Sequence, residues 1–344
     1  MKIAFFNKFL PSDQPNGVSV QVHRLANALV KKGHSVTIFS FSPAPSDALY
    51  KNVQLSWGRC SKLKWIAKFI PAFGFRAVDT RDFDIIHYHG DDYLSKGAGN
   101  RVRTFYGSAF YEAIHAHDPG RFFYQALFYL FELISCMKKG TKVAISKNSF
   151  RTLPHVTISI PCGVPLDRYQ PGLKSVFPSI LFAGDLFGRK RGALLLKIFQ
   201  NQIRPVLPQA VLKIIGPQDC DGSGVIYLGR VTENCLIHEF KEAWVYCMPS
   251  SYEGFGVPVI EAMASGTAVV ASDNAGVNEI ITNGKNGIIS SDAELGKNLL
   301  RVLQDEILRK NLINEGMVLA KEFDINSVAH RYEEIYERHR LHDD

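Results

Sequence analysis

The chain has 344 residues, 46% of them apolar and 21% charged, with a formal net charge of +7. That length exceeds one ordinary core and predicts two domains, and the composition excludes a disordered or fibrous chain. The six cysteines (60, 136, 162, 220, 235 and 247) form no C-x-x-C pair and no disulfide-framework spacing, so a reducing cytosol is the expected compartment.

The basic balance calls for an anionic partner. No basic run has the length that nucleic-acid binding requires, which leaves a nucleoside diphosphate or the anionic inner face of a membrane. Lys2 and Lys8 bracket a short apolar run followed by polar residues, a first strand rather than a signal peptide. No stretch reaches the roughly 20 apolar residues of a membrane span; Gln125 and Glu132 interrupt even 122–137.

In chain order, Lys2 to Phe6 predicts a strand, Pro15-Asn16-Gly17 a turn, Val18 to Lys32 a helix and Val36 to Phe41 a strand. Trp57 to Arg76 mixes Lys62, Lys64, Lys68 and Arg76 with Trp65, Ile66, Phe69, Ile70, Phe73 and Phe75. It reads either as a membrane-interface surface or as a core helix with a solvated basic face. His87-Tyr88-His89 follows Asp82-Phe83-Asp84-Ile85-Ile86 at a strand end, where parallel sheets display ligand groups. Spacing does not bring His87, His89, His115 and His117 together as metal ligands, and no metal is expected.

The second half repeats the scheme. Ser179 to Ala183 predicts a strand, Gly184 to Gly192 a glycine-rich basic turn, Ala193 to Asn201 a helix and Val211 to Ile215 a strand. Pro165, Pro171, Gly172 and Pro178 mark a hinge near 167–178, so the domains are read as 1–168 and 169–324, with a last helix at about 325–344. The alternation implies parallel sheets and two Rossmann-like α/β domains.

Residues 249–266 carry the chemistry. Glu253 and Glu261 flank a turn in which Gly254 and Gly256 let the backbone approach a ligand; Pro258 suits the first helical position and Gly266 the residue past the helix end. Such a turn aims N–H groups at an anion, and the helix end favours negative charge by roughly 0.3–1 kcal/mol. The two acids are then acceptors for ligand hydroxyls, and a ligand with phosphates and hydroxyls is a sugar nucleotide. A capped helix with two solvated acids is the plainer alternative.

This Glu-x7-Glu arrangement around Gly-Phe-Gly resembles the signature of retaining GT-B glycosyltransferases of family four, the following Thr267 to Ser272 strand included. The resemblance implies two Rossmann-like domains facing across a cleft, the first binding the acceptor and the second the donor, with the last helix crossing back to the first. It implies a metal-independent hexosyltransferase with no cofactor beyond the nucleoside-diphosphate sugar, UDP- or GDP-linked. The acceptor would be a glycan, lipid-linked or other hydroxyl compound of cell-surface polysaccharide or glycoconjugate synthesis; peripheral contact with an anionic membrane is a separate expectation, resting on the net charge and on Trp57 to Arg76. Glu253 would orient the sugar and Glu261 hold the ribose, with Gly254, Phe255, Gly256 and Val257 around them. Arg189 and Lys190 would offset the diphosphate charge, with Arg191 as the register alternative, Val231 would meet the base, and Gly17 would lie near the diphosphate.

Two departures stand out. The family has an Arg after the first glycine of the basic turn, where this chain has Asp185, and a histidine where it has Tyr106. A phenol donates a hydrogen bond but takes up no proton near neutral pH. His89 is the acceptor-side candidate beside Tyr106, or a satisfied loop histidine. A non-catalytic or weakly active nucleotide-sugar-binding protein and a sugar-nucleotide epimerase are the alternative functions.

Overall fold

The computed structural model describes all residues except 13–15, 59–65, 97–98, 117 and 342–344. The chain forms two compact units, Met1–Gly163 with Ile325–Asp344, and Val164–Asp324. The Val164 N–H donates to the Phe323 carbonyl at 2.8 Å, and Val164 bridges Asp324. The chain therefore enters and leaves the second unit at one point.

The first unit holds a seven-stranded sheet of β1 (Lys2–Phe6), β2 (Ser35–Ser40), β3 (Lys51–Gln54), β4 (Ile85–Tyr88), β5 (Arg101–Phe105), β6 (Thr141–Ala144) and β7 (Ile158–Ser159). The order is β3-β2-β1-β4-β5-β6-β7, every pairing parallel. Helix α1 (Gly17–Lys31) starts from a capping box in which Asn16 and Ser19 satisfy each other's backbone N–H groups. Its apolar side, Val22, Leu25, Ala26 and Leu29, packs on Ile3 and Phe5. Helices α2 (Ile70–Ala77), α3 (Ala109–Ile114), α4 (Pro119–Met137) and α5 (Lys147–Phe150) complete this stretch of chain. Of the Trp57 to Arg76 segment, 59–65 lie outside the described residues. The described remainder gives α2, with Pro71, Ala72 and Phe75 buried and Phe73 and Arg76 exposed.

The second unit repeats the design with β8 (Ser179–Ala183), β9 (Val211–Ile215), β10 (Val225–Gly229), β11 (Val245–Met248), β12 (Ala268–Ser272) and β13 (Ile288–Ser290) in the order β10-β9-β8-β11-β12-β13, again all parallel. Its helices are α6 (Gly192–Ile198), α7 (Glu233–Glu242), α8 (Val257–Ala264), α9 (Leu295–Gln304) and α10 (Glu306–Ala320). Strands buried on both faces explain the unbroken apolar runs 180–183 and 268–271. The helix expected over 193–201 is α-helical only to Ile198. Phe199–Ile203 continues as a wider π turn, closed by Arg204 N–H to the Phe199 carbonyl at 2.9 Å.

Helix α11 (Ile325–Leu341) returns to the first unit, as the family resemblance implies. Val328, Ala329, Tyr332, Ile335 and Tyr336 enter the core formed by β1 and α1. The Tyr336 hydroxyl meets His87 Nδ1 at 2.6 Å, the Tyr332 hydroxyl meets Thr104 at 2.9 Å, and Glu333 pairs with Lys32 and His34 at 2.9 and 2.8 Å. Among the described residues no helix is long and apolar enough to cross a membrane.

Candidate functional site

In the second sheet the strand order reverses between β8 and β11, which are hydrogen-bonded neighbours. Open parallel sheets bind ligands beyond the carboxyl ends of the strands at such a switch point. The two motifs singled out in the sequence leave those two ends, 184–191 after β8 and 249–256 after β11. Parallel pairing thus brings together residues more than 60 positions apart.

Three side chains meet there. Glu253 is buried, with one carboxylate oxygen 2.7 Å from Lys190 Nζ and the other 3.1 Å from Arg189 Nη1. Arg189 also donates to the Tyr252 carbonyl at 2.9 Å, and its own carbonyl accepts from the Ser251 N–H at 2.9 Å. Burial pushes the Glu253 carboxyl up, but Lys190 and then Arg189 outweigh it, and the group lies below the ordinary Glu value. The site therefore holds one fixed negative charge between two cations, both partly solvent-accessible.

Arg191 has a different place. Its Nε donates to the Pro249 carbonyl at 2.6 Å, both terminal nitrogens pair with Asp292 at 2.7 and 2.8 Å, and Nη2 also donates to Ser272 at 3.0 Å. All three nitrogens are occupied in tying the basic turn to the ends of β11 and β12, so Arg191 braces the turn. It also stands as the N-cap of α6 with a left-handed φ of 53°.

Helix α8 starts at Val257, which places Pro258 at the second helical position rather than the first, with Gly256 as the N-cap at φ 106°. Gly266 (φ 68°) closes the far end, with its N–H on the Met263 carbonyl at 3.1 Å and the Thr267 N–H on the Ala262 carbonyl at 2.9 Å. Glu261 is buried in the helix, as Phe255 is in the turn before it. Tyr246, fully buried on β11, feels the charge of both acids: its phenol is raised by burial and then by Glu253 and Glu261. Tyr246 therefore stays protonated, and its hydroxyl has no hydrogen-bond partner among the described residues. Gly254 and Val257 remain partly accessible, and so does Val231, which leaves the end of β10 just before α7.

Several supports escape sequence reasoning. A Cβ on Gly276 would come within 2.6 Å of the Glu253 carbonyl oxygen and 2.8 Å of that of Phe255, so only glycine lets this loop lie under the Glu253 turn. Asn274 donates to the Ser250 and Ser272 carbonyls and accepts from the Val277 N–H, all at 3.1 Å. Gln218 accepts from the Leu186 N–H at 3.1 Å and holds the basic turn from β9's side. The only sequence signal for these residues is their position just after strands, which many loop residues share.

The first unit has its own switch point between β1 and β4. Gly17 is the first residue of α1, and a Cβ there would meet nothing within 4 Å, so intramolecular crowding does not demand glycine. His89 follows β4, buried, with Nδ1 2.9 Å from the Tyr106 hydroxyl, and its Nε2 has no hydrogen-bond partner among the described residues. Burial, then His87 and Arg103, push His89 well below the usual histidine range, while burial raises Tyr106. The pair is neutral and fit for hydrogen bonding rather than for charge. His87 is committed on both nitrogens, to Tyr336 and to Thr104 at 2.8 Å. Asp92 serves a buried network with Arg101, Arg103 and Ser135.

Two family models match the two halves in turn: "Glycosyltransferase Family 4" over residues 15–168 and "Glycosyl transferases group 1" over 165–317. Among curated proteins, the phosphatidyl-myo-inositol mannosyltransferase of Mycobacterium tuberculosis is 24% identical, with 94% of each chain covered. Among solved structures, sucrose-phosphate synthase from Thermosynechococcus elongatus superposes with a TM-score of 0.81 at 19% identity over 98% of each chain. Alr3699/HepE of Anabaena, solved with UDP-glucose, gives 0.75 at 14% identity, covering 98% of this chain and 100% of that one. These last two likenesses establish the shared fold.

Proposed function

We propose that this chain, which belongs to the glycosyltransferases of the GT-B fold, is a retaining, metal-independent enzyme moving a hexose from a nucleoside-diphosphate sugar to a lipid-linked hydroxyl acceptor. The observation that carries the reading is the buried Glu253 between Lys190 and Arg189 at the switch point of the second sheet. A diphosphate docking on this turn would draw on the two cations and on the N–H groups of Gly254 to Val257, and Glu253 would turn to the sugar hydroxyls. Glu261 would hold the ribose and Val231 the base.

In the reaction the sugar C1–O bond to the diphosphate breaks and a bond from C1 to the acceptor oxygen forms. The acceptor proton passes to the departing phosphate oxygen on the same face, which retains the anomeric configuration. Lys190 and Arg189 stabilise charge as it grows on the leaving group, the kind of electrostatic help whose loss costs about 100-fold or more. They would also supply the cation missing at Asp185. His89 and Tyr106, neutral and joined by a hydrogen bond, would position acceptor hydroxyls in the first unit. The lipid-linked acceptor rests on the mycobacterial relative, whose name specifies a phosphatidyl-inositol, and the UDP option on the Anabaena protein.

The test begins with thermal shifts of metal-free protein against nucleoside diphosphates and their sugars, since a ligand of the folded state alone raises its stability. One base should shift the protein, and Glu261→Ala should lose the shift. With the matching sugar donor and a polyprenyl- or phosphatidyl-linked acceptor, Glu253→Ala and Lys190→Ala should each lower kcat/KM by about 100-fold or more, and product NMR should show the donor's anomeric configuration. Near-normal turnover in both variants, or an inverted product, refutes the mechanism. A nucleotide shift without transfer to any acceptor favours a binding protein.

A further inference from the structure

Beyond the carboxyl end of β4 the chain turns through Gly90, Asp91, Asp92 and Tyr93, and these residues line a cavity of about 210 Å³ together with α4 and β5. Helix α4 supplies Phe128, Phe131 and Glu132, which share one side of the helix by their spacing, and β5 supplies Arg103. At about 30 Å³ per water the space equals about seven waters, the room of one sugar ring. All of its lining comes from the first unit, at the switch point between β1 and β4.

The polar groups of this cavity are fixed in place but not used up. Arg103 is 7% exposed; its Nε lies 3.0 Å from Asp92 and its Nη1 donates to the Thr104 carbonyl at 2.6 Å, which leaves Nη2. Asp92 is spent on Arg101, Arg103 and Ser135. Asp91 differs, for its carboxylate has no hydrogen bond or ion pair among the described residues, although Lys8 and Arg103 are near enough to favour its charge. One Glu132 oxygen accepts the Ala109 N–H at 2.9 Å, and the other has no partner among the described residues. The Tyr93 hydroxyl is buried without one too, while its ring stacks on Phe131 at 4.2 Å. Asp91 also holds a left-handed φ of 53°, a strained state for a residue with a side chain and one that persists where the surroundings aim a group at a ligand.

We infer that this cavity binds one neutral sugar ring, with Asp91 and Glu132 accepting from its hydroxyls, Arg103 donating to one of its oxygens, and Phe128 and Phe131 covering an apolar face. Three acids, Asp91, Asp92 and Glu132, are set against three bases, Lys8, Arg101 and Arg103, so neither an anion nor a cation is drawn in by net charge. The cavity offers acceptors and donors side by side with aromatic carbon, and a pyranose answers that inventory with its hydroxyl edge and its C–H face. Under the transfer reaction proposed above, the ring is the terminal sugar of the acceptor. That identification rests on the proposed function, whereas the binding does not.

The experiment is saturation-transfer NMR of the full chain with the methyl glycosides of glucose, galactose, mannose and N-acetylglucosamine, with glucuronic acid and glucosamine as charged controls. A neutral glycoside should bind, and both charged sugars should bind more weakly than it does. Asp91→Asn keeps the size of the side chain and suits a left-handed φ, so it should fold normally and weaken binding by about tenfold. A Cβ at Gly90 would stand in open space, so Gly90→Leu should fill the cavity and abolish binding. Both variants should keep the wild-type urea midpoint and the nucleotide thermal shift, which separates a lost sugar site from lost folding. In a transfer assay the bound glycoside should compete with the acceptor and not with the donor. Binding of no neutral glycoside, unchanged binding in both variants, or tighter binding of a charged sugar overturns the inference. A glycoside that binds and is lost in both variants, without transfer to any acceptor, upholds the cavity and refutes the transferase reading instead.

Discussion

Glu253 keeps its negative charge while buried because Lys190 and Arg189 lie within 2.7 and 3.1 Å. Its carboxyl is lowered from the ordinary 4.5 in the folded state, so the stabilisation it contributes is present above that value and is lost as pH falls through the lowered one. Removing Lys190 weakens the opposition to burial and drives the Glu253 value upward. The expected outcome is that the acid side of the Tm-against-pH curve moves to higher pH in Lys190→Ala, while Glu253→Gln flattens that side. Coincident acid limbs in wild type and Lys190→Ala would refute the coupling. Both partners were legible in the sequence because each belongs to a local pattern, a basic turn and a glycine-bracketed pair of acids. Arg191 was read as a ligand-binding alternative because the same basic run contains it; its four bonds go to Pro249, Ser272 and Asp292, and no local pattern announces partners so distant. Gly276 went unread for the same reason, its neighbours being carbonyl oxygens more than 20 positions away.

At the scale of elements, α4 is joined to α3 by a carboxylate that accepts the Ala109 N–H at 2.9 Å. Its inner side carries Glu132, which burial pushes up to about 7 against the partial opposition of the Ala109 N–H and Arg103. A raised carboxyl stabilises the folded state below the ordinary 4.5, and that advantage is lost as pH rises through about 7. The swing is at most about 3 kcal/mol at 1.36 kcal/mol per pKa unit. Glu132→Gln should therefore gain stability relative to wild type between pH 5 and pH 8, as read from urea midpoints across that range. Equal midpoint differences at both ends would refute it. The strands were easy to read, since parallel strands covered on both faces are short apolar runs. The helix of 193–201 was read correctly in kind and wrongly in its end, because the π turn at Phe199–Ile203 depends on how Phe199 and Ile203 seat in the core rather than on any breaker residue.

For the whole molecule, the path of the chain matters more than any single contact. The second unit is inserted between Gly163 and Ile325, and α11 supplies core that the first 163 residues lack. Ile325, Val328, Tyr332, Ile335 and Tyr336 are all buried there, and a fully buried large apolar side chain stabilises by about 1.5–3 kcal/mol. Together they approach the roughly 5–15 kcal/mol that holds a domain folded. Their loss would also leave His87 Nδ1 and the Thr104 hydroxyl without Tyr336 and Tyr332. A chain ending at Asp324 should therefore unfold its first unit and keep its second. Hydrogen exchange provides the measurement: amides of β1, β4 and β5 should lose protection while those of β8, β11 and β12 keep it, and the nucleotide thermal shift should persist. Retained protection in β4 would mean that α11 only covers the first unit. Lost protection in both sheets would mean that the two units fold as one cooperative body.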